Sequence, residues 1–451
     1  MDELPTIAAL ATPSGSSALA VIRVSGGLAY SIAGEVFKRK EVFPRRAYFG
    51  KYNSVDGKLL DECVWVVFSG PKSYTGEDLL EISCHGNPFI IKRILGDLYR
   101  RGCRPAQPGE FTRRAFLNGK MDLTQAEAVS EIISARSERA FDAARKLLSG
   151  ELGKRIFEWN EQILSLLAET ETQIDFSEDE VPEIDSKYFR DKIDKLISKL
   201  KKTRESVRYS SRVYEGINVV IFGAPNAGKS SLMNVLVGAD RALVSDEAGT
   251  TRDFISENIV IDGNNIRLID TAGIRDNTTS KVEKSGIRKT LDCIHKADFL
   301  IFVIDASVPY PTFSEDILRK INSDNCLILF NKIDLAAGFE KDTFLPEIDR
   351  LSLCLLEESS SEKLYSYFSE IFRKKNIIPD SDILIVSSRH AEAILKAENE
   401  LLEAKELIEK IHIEFVSAKL RSALEYLSEI LGRFDNEKVL DKVFSSFCIG
   451  K

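Results

Sequence analysis

Gly223-Ala-Pro-Asn-Ala-Gly-Lys-Ser230 stands directly behind the apolar run Val219-Val-Ile-Phe222 and ahead of an apolar-periodic segment that begins at Ser231. The order is strand, glycine-rich loop, helix, the setting that a phosphate-binding loop needs. Backbone N–H groups of such a loop cradle phosphate oxygens, and the positive end of the following helix adds to the attraction. Asn226, Ala227, Gly228, Lys229, Ser230 and Ser231 are therefore read as nucleotide contacts. Lys229 reaches the outer phosphates, where it assists catalysis, and the Ser230 hydroxyl ligates Mg²⁺. A Ras-like α/β domain follows.

Two later motifs choose the base. Ile266-Arg-Leu-Ile-Asp270 reads as a strand running into Thr271-Ala272-Gly273. A carboxylate at that strand end suits a water-mediated Mg²⁺ contact, and the Gly273 N–H suits the γ-phosphate. Cys326-Leu-Ile-Leu-Phe330 is a second buried-type strand, ending in Asn331-Lys332-Ile333-Asp334. The Asp334 carboxylate can accept from the N1–H and exocyclic amine of guanine, a donor pair that adenine lacks. GTP and GDP are the expected ligands.

Between these motifs, Val244 to Asp253 has switch-loop chemistry: Ser245-Asp246-Glu247-Ala248-Gly249-Thr250-Thr251 is read as nucleotide-binding, with Arg252 behind it. Thr251 is the better candidate for the second Mg²⁺ hydroxyl. Ile274 occupies the place of the water-orienting glutamine of Ras-type enzymes, and its side chain cannot orient water. The hydrolytic group must come from elsewhere. The fifth guanine motif, Ser-Ala-Lys in its usual form, is not visible. Its expected place is near Leu353-Cys-Leu-Leu356, because Ser387-Ser-Arg389 comes too late. A looser base pocket and weaker nucleotide affinity are expected from that loss.

A chain of 451 residues carries a prior of about three domains. Apolar content of 43% with 29% charged residues describes an ordinary globular composition. No run of 18 apolar residues occurs, so no membrane span is expected. The acidic Met1-Asp-Glu-Leu-Pro5 lacks a signal-peptide n-region, which points to the cytoplasm. Seven cysteines are scattered without zinc spacing and read mostly as buried free thiols. A net charge of −8 argues against coating nucleic acid by bulk electrostatics. Local basic clusters remain, Lys38-Arg39-Lys40, Arg45-Arg46, Arg113-Arg114 and Lys199-Leu-Lys-Lys202; most read as solvated faces, with RNA contact open for one or two.

Residues 1–118 mix short strands, such as Ala20–Val24 and Val64–Phe68, with proline-marked loops and form an α+β domain. Helical texture fills 119–213, opening at a capping box read at Thr124-Gln-Ala-Glu127. The G domain occupies 214–376, and 377–451 is helical again. Each helical flank alone has too narrow an apolar face for a stable domain, so the two are expected to pair around the inserted G domain. The fold class is multidomain α/β plus all-α. Cys448, four residues from the end, does not make a prenylation box, because Gly450 is not aliphatic and Lys451 is not a usual last residue.

Beyond the nucleotide motifs, the chain carries Phe447-Cys-Ile-Gly-Lys451, Pro108-Gly-Glu-Phe-Thr112, Phe116-Leu-Asn-Gly-Lys-Met-Asp-Leu123 and Gln125-Ala-Glu-Ala128. Tyr74-Thr-Gly-Glu-Asp78 and His85-Gly86 add to them. On these blocks it resembles the MnmE/TrmE family of tRNA-modification GTPases, which work with the flavoprotein MnmG. The resemblance implies a tetrahydrofolate-binding-like N-terminal domain, with Arg23, Glu81, Lys120 and Lys451 around a 5-formyl- or methylene-tetrahydrofolate. It implies G domains that pair in a homodimer around K⁺, with Asn226, Ser245, Glu247 and Thr250 at the ion, Arg252 in the same switch loop, and Glu283 orienting water. It leaves Cys448 either as a thiol in one-carbon transfer or as a packed residue that positions Lys451. It further implies a heterotetramer with an MnmG-like partner carrying FAD and using NADH, and modification of C5 of the wobble uridine of certain tRNAs. The alternative is a ribosome-assembly or signalling GTPase switch without modification chemistry.

Overall fold

The computed structural model describes residues 4–175, 185–239, 255–270, 293–309, 319–335, 345–357, 359–378, 384–409, 413–433, 437–445 and 447–450. The chain forms two compact units. One comprises Met1–Ser134, Arg145–Ile197 and Lys396–Lys451; the other comprises Ala135–Ala144 and Ser198–Leu395.

The first unit is built on a six-stranded sheet: β1 (Ile7–Leu10), β2 (Ser17–Ser25), β3 (Tyr48–Asn53), β4 (Leu59–Phe68), β5 (Leu79–Gly86) and β6 (Arg104–Pro105), in the order β3-β4-β5-β2-β1-β6. All pairings are antiparallel except β1 with β6. Alternation decides which face is buried. Ala20, Ile22 and Val24 of β2 enter the core with Ile82 and Cys84 of β5, while Val21, Arg23 and Glu81 point the other way and stay partly exposed. Helix Pro88–Arg100 closes the buried face through Ile91, Ile94 and Leu98, at helical spacing, and starts on Asn87, whose side chain accepts from the Phe89 N–H.

The helical flanks of this unit do pair. Helix Glu151–Asp175 lies along helix Ile413–Ile430, burying Ile156, Trp159, Ile163 and Leu166 on one side and Leu420, Ala423, Leu427 and Ile430 on the other. At about 1.5–3 kcal/mol per large aliphatic side chain, that seam dominates the contact. Asn160 Nδ2 donates to Ser428 Oγ at 3.4 Å across 268 positions of sequence. Helix Leu123–Ser134 is capped two residues earlier than the expected Thr124–Glu127 box: Gln125 N–H donates to Asp122 Oδ1 at 3.0 Å, and Asp122 N–H donates to Gln125 Oε1 at 3.1 Å. Asp122 outcompetes Thr124 because it stands just ahead of the first helical residue, where its carboxylate can reach the N3 amide.

The second unit contains β7 (Ile217–Gly223), β8 (Ile255–Ile261), β9 (Asn264–Asp270), β10 (Phe299–Asp305), β11 (Cys326–Asn331) and β12 (Asp349–Ser352), ordered β12-β11-β10-β7-β9-β8. Only β8 runs antiparallel to its neighbour. Both faces are apolar, as a helix-covered parallel sheet requires. Val219 and Ile221 pack with Leu232, Leu236, Phe368 and Phe372 on one side; Val220 and Phe222 pack with Phe302 and Phe330 on the other. Strand order reverses at β7, which has β9 on one side and β10 on the other, so its carboxyl end is where such a sheet binds ligands.

Candidate functional site: a phosphate loop and an arginine pocket

The loop between β7 and helix Lys229–Ala239 is held by close backbone approaches that only its glycines permit. A Cβ on Gly223 would stand 2.2 Å from the Val303 carbonyl oxygen, and one on Gly228 would stand 2.1 Å from Asn331 Nδ2. Gly228 also has φ +106°, and Asn226 takes a left-handed φ of 62°. Lys229 is buried with its Nζ inside the loop, donating to Gly223 O at 3.1 Å and Ala224 O at 2.7 Å. The ammonium thus already occupies the curve in which outer phosphates would lie.

Asp270 is buried at the end of β9, and Ser230 Oγ donates to its Oδ2 at 3.2 Å. The two groups assigned to Mg²⁺ from sequence are therefore brought together, with an oxygen-only donor set that suits a hard cation. Asn331, at the end of β11, clamps two loops. Its Nδ2 donates to Ala227 O at 3.0 Å, and its Oδ1 accepts from Leu355 N at 3.2 Å. That second bond ties the turn after β12, the expected place of the fifth guanine motif, to the phosphate loop. Ser387-Ser-Arg389 instead opens helix Ser388–Ile408.

Lys332 has φ 61° and extends its Nζ to Asp305 Oδ2 at 2.6 Å. Burial pushes the Asp305 carboxyl up, but the Lys332 ammonium and two Ser307 donors outweigh it and hold it below the usual carboxylate range. Asp305 was not visible as a functional residue in the sequence; it ends β10 as Asp270 ends β9, but carries no motif of its own. Asp334 lies in an exposed turn, open to a base. Ser245, Asp246, Glu247, Ala248, Gly249, Thr250, Thr251, Arg252, Thr271, Ala272, Gly273, Ile274, Glu283 and Lys451 lie outside the described residues.

In the first unit, Arg23 and Glu81 are directly opposite across β2 and β5. Arg23 Nε and Nη2 both donate to Glu81 Oε1, at 3.0 and 2.8 Å. The guanidinium lies 5.3 Å from the Tyr74 ring centroid and 5.7 Å from that of Phe111. Its Nη1 reaches the Gly450 carbonyl at 3.5 Å. The C-terminal segment is seated tightly: Gly450 has φ +99°, a Cβ there would meet Leu10 O at 2.0 Å, and Gly109 N–H donates to Cys448 O at 3.5 Å. The Cys448 thiol is exposed rather than packed. Lys120 makes a different contact, its Nζ donating to Pro71 O at 2.8 Å.

Tyr74 and Phe111 were visible only as members of sequence blocks, without a role; their placement beside Arg23 gives them one. Glu81 Oε2 has no partner among the described residues and is partly exposed. A ligand edge rich in N–H donors would meet an unused carboxylate oxygen there, so the site fits a pterin.

The model of the MnmE helical domain matches residues 123–448, and that of the GTP-binding protein TrmE N-terminus matches residues 6–120. A relative from Opitutus terrae named tRNA modification GTPase MnmE is 42% identical over 454 residues, covering 99% of this chain and 99% of the relative. One of the same name from Aquifex aeolicus is 42% identical over 453 residues, with the same coverage. A third, from Clostridioides difficile, is 36% identical over 457 residues, again at 99% of each chain.

Proposed function

The chain belongs to the MnmE family, and from that premise we propose that it is a GTP-hydrolysing enzyme of tRNA modification. The observation that carries the GTPase half is the meeting of Ser230 with Asp270 beneath a loop clamped by Asn331. Ser230 and Asp270 would hold Mg²⁺, which neutralises charge on the phosphates; Lys229 would turn from the loop carbonyls to the outer phosphates; Asp334 would read guanine. Hydrolysis depends on K⁺ in this reading. Asn226, Ser245, Glu247 and Thr250 would hold the ion, with Arg252 assisting and Glu283 orienting water, in a site that pairing of two copies would complete.

In the N-terminal domain, Glu81 and Arg23, with Lys120 and Lys451, would bind a tetrahydrofolate derivative that carries a one-carbon unit, and Cys448 would take part in its transfer. With an MnmG-like flavoprotein that brings FAD and NADH, the product is an aminomethyl or carboxymethylaminomethyl group on C5 of uridine 34. The reading is cytoplasmic; no helix among the described residues is long and apolar enough to cross a membrane.

Wobble-uridine analysis of tRNA from cells depleted of this protein tests the modification, and unmodified nucleoside should accumulate; an unchanged profile would refute it. GTP turnover compared in K⁺ and Na⁺ tests the ion. Equal rates remove the K⁺ mechanism while leaving the family intact.

A further inference from the structure

Most arginines of the N-terminal sheet domain are neutralised. Arg23 pairs with Glu81, Arg100 and Arg101 with Asp97, and Arg104 and Arg114 with Glu110. Of the cations that form no ion pair, six lie in two segments joined by a backbone contact. Lys38, Arg39, Lys40, Arg45 and Arg46, in the connection between helix Ala29–Val36 and β3, and Lys72, after β4, are exposed and form no ion pair among the described residues. Glu41 is the only carboxylate in the stretch 38–47.

The arginines among them are built into place rather than left loose. Phe37 stacks on Trp65 at 4.5 Å and Trp65 on Tyr48 at 4.6 Å; the Arg39 guanidinium stands 4.1 Å from the Tyr48 centroid, and that of Arg46 stands 5.8 Å from it. Arg45 Nη2 donates to the Lys72 carbonyl at 2.8 Å, and its backbone N–H donates to Val67 O at 2.7 Å, which joins the two segments. Lys38 and Arg45 sit at left-handed φ of 51° and 61°, a strain that side chains other than glycine rarely bear. Phe43 presents an exposed ring beside them, its N–H donating to the Tyr48 hydroxyl at 2.9 Å.

We infer that this connection, with Lys72, is a docking surface for the phosphate backbone of tRNA. The inference rests on the tRNA-modifying reading above and adds where the chain holds its RNA. Guanidinium groups fixed on aromatic faces and lacking carboxylates are poised for phosphate, and a ring among them offers a nucleobase a stacking platform. A carboxylate tail on a folate would use the charge but not the ring. Because the whole chain carries −8, binding has to be local to such a patch.

Lys40→Glu with Arg46→Glu removes two of these cations without touching the Arg45 bonds. Full-length protein is titrated with an unmodified tRNA transcript between 50 and 200 mM KCl. The doubly reversed protein should bind at least tenfold more weakly at 100 mM. Its slope of log affinity on log salt should be shallower by about 2, one per phosphate contact. Its GTP turnover without tRNA and the melting of its N-terminal unit should both be unchanged, which certifies the fold. Affinity and slope equal to wild type overturn the inference, as does loss confined to Lys195→Glu with Lys201→Glu on helix Ser186–Arg204. Weakened binding of a polyglutamylated folate with tRNA affinity intact also overturns it, in favour of a folate-tail site. Failure of the underlying reading would appear separately, as unchanged wobble uridine in depleted cells.

Discussion

In the phosphate loop, eight consecutive residues carry most of the binding chemistry, and the fold adds a clamp at Asn331. In the N-terminal domain, Arg23 is held by Glu81, 58 positions later, and reaches the carbonyl of Gly450, 427 positions later. The first site is a local backbone shape with one neutral tether; the second is a meeting of distant charged groups. The contrast explains why they read so differently in sequence. A glycine-rich loop behind a strand states its own geometry, because backbone N–H groups do the binding. No rule of spacing connects Arg23 to Tyr74, Phe111 or Gly450; only sheet pairing and tail docking do. The same contrast predicts how each site breaks.

Replacing Lys229 should produce the largest effect. Lys229→Ala removes the one cation inside the loop and should slow GTP turnover by roughly 10³-fold, the scale of a single donor aimed at developing phosphoryl charge. Turnover within tenfold of wild type would mean that the loop does not work as its shape indicates. Folate binding, in the other unit, should not move.

Asn331→Ala attacks the tether rather than the loop. It leaves the Ala227 carbonyl and the Leu355 N–H without their partner, at about 1–3 kcal/mol each. GDP affinity should fall by about 10–100-fold, measured by calorimetry. Affinity within twofold of wild type would show that the loop stands without its clamp. The comparison would then sharpen into one between a fully local site and a fully distributed one.

Glu81→Gln makes the corresponding change in the distributed site. Glutamine keeps the shape and one acceptor for Arg23 but gives up the charge. Tetrahydrofolate affinity should weaken by about tenfold, as a charge-assisted pair becomes a neutral one, with GTP turnover unchanged. A parallel drop in turnover would show that the two sites are not separable.

The fold was legible to the extent that pattern is local. The alternation in β2 and β4, the apolar strands β7 and β11, and the need of two narrow helical flanks for each other could all be read from residue order. The start of helix Leu123–Ser134 was misplaced by two residues because Thr124 and Asp122 are both good caps and only packing chooses between them. The roles of Asp305 and Asn331 were illegible or half legible for the same reason. Asp305 is defined by Lys332 reaching across from the next strand, and Asn331 acts through Leu355, in a turn that has lost its polar signature.

The smallest expected effect separates the two sites by pH. Glu110, at the start of helix Glu110–Leu117, accepts from Arg104, Arg114 and the Gln107 N–H, and the helix it anchors carries Phe111 to Arg23. Burial pushes its carboxyl up, but the arginines and the amide outweigh burial and hold it below the usual range. A carboxyl depressed on folding contributes stability that is complete above its unfolded pKa of about 4.3 and fades as pH falls through the lower folded value. Glu110→Gln should therefore lower the melting temperature of the N-terminal unit by roughly 2–4 °C at pH 7, the scale of about 1 kcal/mol. Trp65 fluorescence in a Trp159→Phe background would follow it, and the gap to wild type should start to narrow as pH falls below about 4.3 and close below the lower folded value. The Asn331 clamp is neutral and should show no such closing of the gap. A Glu110→Gln gap that does not narrow at all as pH falls below about 4.3 would mean the carboxylate charge is not what braces this helix, and the distributed site would owe its geometry to packing alone.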